Sequence, residues 1–386
     1  MLAPEPFFQP RGTPISVYFR LKALSHLGHH VDVVTYHVGE NVKFKNVNIL
    51  RIPDPGFIKE VKIGPSFGKI PLDFLLWARA FFRLVHKRYD LIFSHEEAAL
   101  LGVWLSQTWN LPHVYDMHSS LPQQLENYDF SRSQILHSLF RRMEKYILKH
   151  SHAVIAICDD LREKVERQGF GSKVLLLENF LEFEPPTYTS SQIKEKRSEI
   201  APPHHKIILY AGNFQPYQGI PLLLEALSAL KEKKIVLLLA GGTPREINNM
   251  KKKAASLSIS NKVRWVGQIP PSQISLFIAL ADVLVSPRIS GTNTPLKIYS
   301  FLKSGKPLVA TNLWTHTQVL NPQISILVNP DPSRLAEGLD FALFHPQAQK
   351  RAQQAKKLGE QKYNLSLYIK TISQILNKAL ESQNHL

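Results

Sequence analysis

Two basic residues, Arg288 and Lys297, stand on either side of a short loop of small and polar residues. The last four loop residues before Pro295 are Gly291, Thr292, Asn293 and Thr294. Cations bind phosphate groups directly, and the unpaired backbone amides at the start of a helix bind them as well. The pattern therefore predicts a phosphate site. A capped helix alone would also explain it, because Thr13-Pro14 and Thr243-Pro244 repeat the same order.

One strand and one helix must position this loop. The apolar run 282–286 is typical of a buried parallel strand. Thr294 suits a helix N-cap and Pro295 suits the first helical position, so we expect a helix from there to about Ser304. Residues 308–311 should form the next strand. The loop would then lie at the carboxyl end of a strand, where ligands bind in open α/β sheets.

The same alternation of strands and helices fills both halves of the chain. In the second half we predict strands 206–211, 235–240, 262–266, 282–286 and 308–311 and helices 221–232, 244–257 and 272–280. In the first half we predict strands 31–35, 47–52, 90–94, 113–116, 153–157 and 174–177 and helices 13–27, 72–85, 96–108, 134–149 and 161–168. Residues 1–4 are too short for a full strand, which we expect to be clipped by a translation start assigned too late.

A linker is predicted within residues 182–205, where apolar periodicity lapses into Pro185-Pro186, Ser190-Ser191 and Pro202-Pro203. It would separate a domain of residues 1–184 from one of residues 185–362. Since both series alternate, we predict an α/β protein of two Rossmann-like, doubly wound parallel-sheet domains that face one another. An amphipathic helix, 363–380, follows the second domain.

Composition indicates an ordinary globular protein. Of 386 residues, 44% are apolar and 20% are charged. The one cysteine, Cys158, excludes an internal disulfide, and no cluster resembles a zinc site, so we expect a reducing, cytoplasmic setting. No apolar stretch reaches the roughly 20 residues of a spanning helix, and the N-terminus lacks a signal-peptide pattern.

The net charge of +16 is uneven along the chain. Residues 1–184 hold 22 Lys/Arg against 20 Asp/Glu, whereas residues 185–386 hold 25 against 11. Such an excess favours anionic partners: nucleotides, nucleic acid or acidic membranes. Nucleic acid ranks last because no nucleic-acid-binding module is recognisable, and we expect no such partner.

Two basic segments of the first half are candidates for contact with the inner face of a membrane. Residues 43–88 hold ten basic and three acidic residues, and their aromatic residues include Phe57, Phe67, Trp77, Phe81 and Phe82. The helix predicted at 134–149 sets apolar residues apart from Arg141 and Lys145. The alternative is a core helix with a basic outer face.

Polar residues cluster at two predicted strand ends, at 95–97 and at 116–120. Adjacent carboxyl ends of parallel strands meet at one edge of a sheet, so these residues predict a cleft. Within it, His118 would donate to or accept from a sugar hydroxyl; alternatively, it satisfies loop backbone.

The chain resembles the retaining glycosyltransferases of the GT-B fold, family 4. The second half carries YAGNFQPYQGIPLLLEAL at 210–227, LAGG at 239–242, VRWVGQIP at 263–270 and ADVLVSPRISGTNTPLKIYSFLKSGKPLVAT at 281–311. The first half carries FFQPRGTPISV at 7–17, HVYDMHSSLP at 113–122 and HAVIAICDDL at 152–161. Together these segments span nearly the whole chain in the family's order. The final helix, 363–386, resembles the one that returns to the first domain.

The resemblance implies positions for the donor, a UDP- or GDP-linked sugar. The loop at Gly12 would lie near the diphosphate and His118 beside the transferred sugar, while Gly267 and Gln268 would offer backbone to the base. The chain departs from the family in two ways. Asn213 and Gln218 stand where an Arg and a Lys are usual, and the usual pair of glutamates is absent, since Ser300 stands where the second would be and no acidic residue falls in 286–304. Arg288, Lys297 and the residues 291–294 would compensate.

The activity implied is transfer of a hexose, with retention, to a glycan, lipid-linked or small-molecule acceptor. No cofactor is implied, and no metal, since no two aspartates lie two residues apart as in the Asp-X-Asp motif of the other common glycosyltransferase fold. Two alternatives stay open. One is an impaired sugar-nucleotide-binding or scaffold protein; the other is an epimerase, which would need acid/base carboxylates from Glu96, Glu97 or Asp116.

Overall fold

A computed structural model describes residues 1–9, 12–56, 58, 61, 66, 68–127, 133–180 and 188–383. The chain folds as two compact units. The first contains Met1–Asn179 and Leu365–Leu386, and the second contains Phe180–Asn364. The domain boundary predicted at 184/185 lies outside the described residues, as do Pro185-Pro186, Phe57 and Phe67.

The first unit is built on a seven-stranded parallel sheet in the order β3-β2-β1-β4-β5-β6-β7. Its strands are β1 Leu2–Ala3, β2 Val31–Thr35, β3 Val47–Arg51, β4 Ile92–His95, β5 His113–Met117, β6 Ala153–Ala156 and β7 Val174–Leu176. Its helices are α1 Gly12–His26, α2 Lys69–His86, α3 Ala98–Trp109, α4 Leu121–Asn127, α5 Gln134–His150, α6 Asp159–Val165 and, after the second unit, α15 Leu365–Gln383.

The second unit is built on a six-stranded parallel sheet in the order β10-β9-β8-β11-β12-β13. Its strands are β8 Lys206–Ala211, β9 Ile235–Ala240, β10 Val263–Gly267, β11 Val283–Ser286, β12 Leu308–Thr311 and β13 Ile326–Val328. Its helices are α7 Ser190–Ile200, α8 Ile220–Ala229, α9 Pro244–Ser256, α10 Ile274–Leu280, α11 Lys297–Lys303, α12 Trp314–Thr317, α13 Pro332–Phe344 and α14 Pro346–Lys362.

The predicted α/β class with two doubly wound parallel sheets is confirmed. Every strand pairing is parallel, and the central strands are apolar runs buried on both faces, as in β9, where all six residues are buried. Even β1, only two residues long, pairs with both β2 and β4. The final helix α15 packs against α1, β5 and β6, which places it in the first unit.

The region predicted to contain the linker, residues 182–205, includes a helix at Ser190-Ser191 that the sequence analysis did not predict. These residues open helix α7, whose N-cap is Thr189. The Thr189 hydroxyl accepts from the Gln192 backbone, and the Gln192 side chain accepts from the Thr189 backbone. This capping box stabilises a helix that exposes most of its residues and therefore lacks a marked apolar period.

The helix predicted to start at Thr294 starts instead at Lys297, with Leu296 as its N-cap. The backbone amide of Ile298 donates to Pro295 at 2.9 Å, which makes a tight turn ahead of the helix. Thr294 is therefore not a cap. Among the described residues, no helix is both long and apolar enough to cross a membrane.

A glycine is required where the two central loops of the second unit meet. Gly219 has φ +72°, and a Cβ there would lie 1.9 Å from the Pro287 carbonyl oxygen. Gly219→Ala should lower the free energy of unfolding by about 2 kcal/mol or more, because strain and overlap add. Gly267→Ala is the matched control: its φ is +78°, but a Cβ there has no neighbour within 4 Å. If urea unfolding shows that Gly219→Ala and Gly267→Ala lose the same free energy of unfolding, the overlap with Pro287 does not contribute.

Candidate donor-binding site and histidine cluster

The second sheet places two loops beside each other at its centre. Strands β8 and β11 are neighbours, with Ile208 opposite Val283, and from them the chain winds outward in opposite directions. The loops 212–219 and 287–296 leave the carboxyl ends of these strands. Ligands of doubly wound sheets bind at such a switch point. The predicted phosphate residues therefore lie where the fold favours a ligand.

Lys297 connects the two loops. Its Nζ donates to Gln218 Oε1 at 3.2 Å and lies 3.8 Å from the ring centroid of Tyr210. The Tyr210 hydroxyl donates to the Asn213 carbonyl at 2.6 Å and so holds the ring under the ammonium group. The amine of Lys297 thus reaches Gln218, one of the two positions where the resemblance expects a cation.

Gly212 leaves the space that the amine occupies. Its φ is +149°, and a Cβ would lie 2.9 Å from Lys297 Nζ and 3.0 Å from the Tyr210 hydroxyl. Any other residue at 212 would have to displace the amine or the ring. The absence of a side chain at 212 therefore helps to fix the charge at this point.

Arg288 shapes the loop from its other end. Its Nη1 donates to the Asn293 carbonyl at 2.9 Å and to Thr315 Oγ1 at 2.8 Å, while its Cζ lies 5.2 Å from the Tyr217 ring centroid. Thr315 also donates to the Asn293 carbonyl, at 2.6 Å. Gln318 donates to the Thr292 carbonyl at 2.6 Å. Residues of α12 and just after it therefore hold the predicted phosphate loop.

Two buried polar atoms of this loop have no hydrogen-bond partner among the described residues: Thr294 Oγ1 and Arg288 Nε. Thr294 as a residue is only 8% exposed. Buried polar groups are nearly always paired, so an unpaired hydroxyl and an unpaired guanidinium N–H in one loop leave hydrogen-bonding capacity for a bound group.

The loop also carries uncompensated positive charge. Within the described part of the chain, neither Arg288 nor Lys297 forms an ion pair with a carboxylate. Loss of hydration lowers the pKa of Lys297 well below its usual value, and the Arg288 guanidinium lowers it further. Burial lowers the pKa of Arg288 as well. An anion bound here would reverse both effects.

The other residues predicted to bind the donor make fewer contacts with the loop between Arg288 and Lys297. Asn213 and Gln268 are exposed, and Ser300 is half-buried within α11. Gly267 has φ +78° and accepts from the Gly241 amide at 2.6 Å. Gly12 lies in the first unit, as the first residue of α1, with φ +30°. Their roles in donor binding remain predictions.

In the first unit, His118 belongs to a buried cluster around Asp116. His118 Nε2 lies 3.3 Å from Asp116 Oδ2 and 3.3 Å from His95 Nδ1, and His95 Nδ1 lies 3.2 Å from the same oxygen. Arg20 donates to both Asp116 oxygens, from Nε at 2.8 Å and from Nη2 at 3.3 Å. His118 is thus a partner of a carboxylate, a contact that the sequence did not predict.

This cluster keeps its carboxylate ionised. Burial opposes that charge, but Arg20 and the two histidines hold the pKa of Asp116 well below its usual range. Burial lowers the pKa of His95 to about 4, although Asp116 opposes the shift. The donor atoms of His95, Asp116 and His118 lie within 4.8 Å of one another, close enough to share a cation. In this structure the positive charge beside Asp116 is the Arg20 guanidinium, which donates to both carboxylate oxygens.

The three carboxylates that an epimerase would need, those of Glu96, Glu97 and Asp116, differ from one another in their hydrogen-bond partners. Glu96 accepts from Ser119 at 2.8 Å and from Gln124 at 2.7 Å, and burial raises its pKa to about 7, against the opposing effect of His118. Glu97 accepts from Lys69 at 2.9 Å. Burial thus places the pKa of Glu96 near neutrality, whereas Arg20 keeps the pKa of Asp116 low.

Sequence reasoning missed Tyr210, Thr315, Arg20, His95 as a ring partner, and Tyr368. Each acts through a contact with a residue distant in the chain, such as the 348 positions between Arg20 and Tyr368. A local pattern carries no signal for such pairs. The capping box at Thr189 is different, because its spacing could have been found.

Family models and relatives agree with this architecture. The model of the glycosyl transferases group 1 matches residues 191–362, and that of glycosyltransferase family 4 matches residues 10–184. Alpha-monoglucosyldiacylglycerol synthase of Streptococcus pneumoniae is 24% identical over 317 residues, which are 79% of this chain and 68% of that protein. Phosphatidyl-myo-inositol mannosyltransferase of Mycobacterium tuberculosis is 22% identical over 389 residues, which are 97% of this chain and 95% of that protein.

The crystal structure of Anabaena HepE in complex with UDP and glucose has the same fold, with a TM-score of 0.77 at 15% identity over 97% of this chain and 98% of that one. The two doubly wound sheets therefore define the GT-B class of glycosyltransferases. Within that class, the chain belongs to the glycosyl transferases group 1, which confirms the family resemblance found in the sequence.

Because no carboxylate of the described ranges pairs with Lys297, Lys297→Met should stabilise the protein. The unfolded chain keeps the lysine protonated up to about pH 10.5, whereas the lowered pKa makes the folded protein bind fewer protons. The stability of the original protein then rises with pH toward 10.5, so the gain from Lys297→Met should be larger at pH 6 than at pH 9. Thermal unfolding across this range measures it.

Lys252→Met, on the exposed face of α9, is the control and should change stability by less than about 0.5 kcal/mol. If Lys297→Met is less stable than the original protein at every pH, the proposed charge penalty is wrong.

Proposed function

We propose that this protein is a retaining hexosyltransferase that takes its sugar from a UDP- or GDP-linked donor, and that Lys297 and Arg288 bind the diphosphate. One observation carries the proposal: two cations without a carboxylate partner in the described chain flank one loop at the switch point of the second sheet. HepE, of the same fold, was crystallised with UDP and glucose.

The chemistry needs those cations. As the glycosidic bond to the donor breaks, negative charge collects on the departing diphosphate, and fixed cations stabilise it most in a site with little water. The Lys297 ammonium would meet one phosphate, and the unpaired Arg288 Nε–H and Thr294 hydroxyl would supply further donors. These residues would do the work that a metal does elsewhere. Retention is proposed from the family resemblance.

We assign the acceptor to the lipid-linked or small-molecule class. The two relatives compared above are, by name, a glucosyldiacylglycerol synthase and a phosphatidyl-myo-inositol mannosyltransferase, so both act on lipids. A lipid acceptor would require the protein to approach a membrane surface. The helices of the first unit carry a surface that suits this task.

That surface, the α2–α3–α5 face, combines exposed apolar and basic side chains. Its exposed apolar residues include Phe74 (62%), Phe82 (61%), Trp104 (43%), Ile135 (84%) and Leu139 (50%). Its exposed basic residues include Lys87, Arg88, Arg141, Arg142, Lys145 and Lys149. Trp77 contacts Trp104 at 5.6 Å, and Tyr146 donates to Gln107 at 3.2 Å, so the three helices form a continuous layer.

A core helix with a basic outer face would not leave these apolar side chains exposed to water. Their exposure therefore favours membrane contact as the function of both basic segments. We propose that the α2–α3–α5 face rests on an anionic bilayer, with the basic residues meeting lipid phosphates.

Donor binding is tested with a thermal-shift panel of UDP, GDP, ADP and their sugars, with and without EDTA. One nucleotide should raise the melting temperature equally in both conditions, because a ligand bound only by the folded state stabilises it. Lys297→Ala should weaken its binding about 10- to 100-fold, the loss of one charged hydrogen bond. Lys303→Ala, at the other end of α11, is the matched control and should bind normally.

The lowered pKa of Lys297 adds a sharper measurement. A bound diphosphate favours the charged amine and should therefore raise the pKa of Lys297, and calorimetry in two buffers of different ionisation enthalpy would detect any protons that are taken up. Net release of protons on binding would contradict the role of Lys297. Binding without any sugar transfer or donor hydrolysis would favour the impaired, binding-only alternative, for which Asn213, Gln218 and Ser300 are the sequence argument.

Membrane contact is tested by co-sedimentation with vesicles of phosphatidylglycerol or phosphatidylcholine. We expect binding to the anionic vesicles only, weakened by salt. The double variant Phe74→Ser/Phe82→Ser should bind at least about tenfold less, because each phenyl ring loses roughly 1.5 kcal/mol or more of apolar burial. Phe344→Ser, in the second unit and 50% exposed, is the control. Equal binding by all three proteins would refute the proposed face.

A further inference from the structure

A buried histidine of the second unit lies at the strand ends from which the loop 287–296 emerges. His316 belongs to α12 and is 0% exposed. Its Nδ1 lies 2.8 Å from the Thr311 carbonyl oxygen, and its Nε2 lies 2.9 Å from Ser286 Oγ. Ser286 ends β11 and Thr311 ends β12, and these two strands are neighbours in the sheet. The ring therefore bridges two adjacent carboxyl ends.

The hydrogen bonds fix where this ring carries its proton. A carbonyl oxygen only accepts, so Nδ1 must be the N–H that donates to Thr311. Thr311 Oγ1, 3.1 Å from the same nitrogen, gives its own hydrogen to the Arg288 carbonyl at 2.6 Å, so it too faces Nδ1 as an acceptor. Burial lowers the pKa of His316 to about 3, although the bond to Thr311 opposes the shift. The ring is therefore neutral at pH 7, and its Nε2 accepts from the Ser286 hydroxyl.

This network reaches the loop 287–296 by two routes. Thr311 Oγ1 donates to the Arg288 carbonyl, which fixes the first part of the loop backbone. Thr315, the neighbour of His316 in α12, accepts from Arg288 Nη1 at 2.8 Å and donates to the Asn293 carbonyl at 2.6 Å, which fixes the second part. Because His316 anchors α12 to both strand ends, it determines where Thr315 can meet the loop.

A histidine suits this position because it adds no charge. Arg288 and Lys297 already place two cations here without a carboxylate partner in the described ranges, and both lower the pKa of His316 further. A third cation would be repelled by them. A neutral imidazole supplies a donor and an acceptor from one rigid ring. The positive charge of the site thus stays on the two side chains that are proposed to bind the diphosphate.

We propose that His316 is a positioning residue: its ring, donating to Thr311 and accepting from Ser286, anchors α12 and thereby holds the loop 287–296 in the shape that binds the donor diphosphate. The hold on the loop belongs to the second unit by itself. The contribution to diphosphate binding rests on the proposed function, so the two parts are tested separately.

Hydrogen exchange tests the hold on the loop without any ligand. The Ile289 amide follows Arg288 directly and donates to the Tyr217 carbonyl at 3.0 Å, so it reports the first part of the loop. His316→Leu removes both ring contacts, so peptides covering 287–296 should exchange at least about tenfold faster by mass spectrometry. His316→Asn keeps an N–H near the position of Nδ1 and should exchange at an intermediate rate. If His316→Leu exchanges as slowly as the original protein, or no faster than His316→Asn, the inference is overturned.

His113→Leu is the matched control. His113, in the first unit, is also 0% exposed, its two ring nitrogens lie 3.0 and 2.5 Å from serine hydroxyls, and burial lowers its pKa to about 3. Its replacement should leave exchange at 287–296 unchanged. If it accelerates that exchange as much as His316→Leu does, the effect is one of stability and the inference fails. If His316→Leu does not fold, Ser286→Ala takes its place, because it removes only the donor to Nε2 and should accelerate the same peptides.

Calorimetry with UDP and GDP tests the part that rests on the proposed function. The nucleotide that binds the original protein should bind His316→Leu at least about tenfold more weakly, the usual cost of losing a residue that orients a binding group, and should bind His113→Leu normally. Faster exchange with unchanged affinity would refute the link to the diphosphate. If neither nucleotide binds the original protein, the proposed function fails, and hydrogen exchange still decides whether His316 holds the loop.

Discussion

The central constraint in this protein is the position of the Lys297 amine, a cation at the centre of the second sheet with no carboxylate beside it among the described residues. A partly dehydrated ammonium group is unfavourable, which the lowered pKa of Lys297 expresses. The fold nevertheless gives it a defined place: Gly212 leaves the space, Tyr210 supplies the aromatic face and Gln218 accepts its hydrogen bond. Unfavourable charge maintained in this way is typical of a site whose partner is a bound anion.

The loop that faces this amine is organised from outside itself. Its carbonyl groups at Thr292 and Asn293 accept from Gln318, Thr315 and Arg288, so the turn cannot relax into an extended N-terminal turn of α11. The same contacts leave the Thr294 hydroxyl without a partner in the described chain. Donors arranged in advance, rather than recruited by the ligand, are what stabilises developing charge most effectively.

The first unit contains a buried group of the opposite charge, the Asp116 carboxylate. Asp116 keeps its charge because Arg20 lies against both of its oxygens and two histidine rings lie within 3.3 Å of one of them. Burying an ion pair stabilises a fold little in itself, since desolvation offsets most of the attraction. Its more specific consequence is orientation, because Asp116 and its neighbours occupy defined positions against one another. The two units therefore carry charged sites of opposite sign built by the same rule: each charge is placed by residues far away in the chain.

Apolar patterning predicted the strands well because strands buried on both faces must be apolar throughout, as Ile235–Ala240 is. It also predicted which loops emerge at the carboxyl ends, and hence the neighbourhood of Arg288, Lys297 and Gly291 to Thr294. It failed for α7, where a polar surface helix depends on its capping box, and for the start of α11, where Thr-Pro was assigned as a cap although the loop carbonyls had other partners.

The sequence by itself determined the α/β class, the family and the set of residues that surround the loop, because these follow from local periodicity and from motifs read in order. Only the tertiary structure decided what those residues do to one another. Three contacts illustrate this: the Lys297 amine with Gln218, Asp116 with His118, and Tyr368 with Arg20. Each one joins separate segments of the chain. Which atoms come together in such pairs depends on strand order and helix packing, and neither is written in any short stretch of the chain.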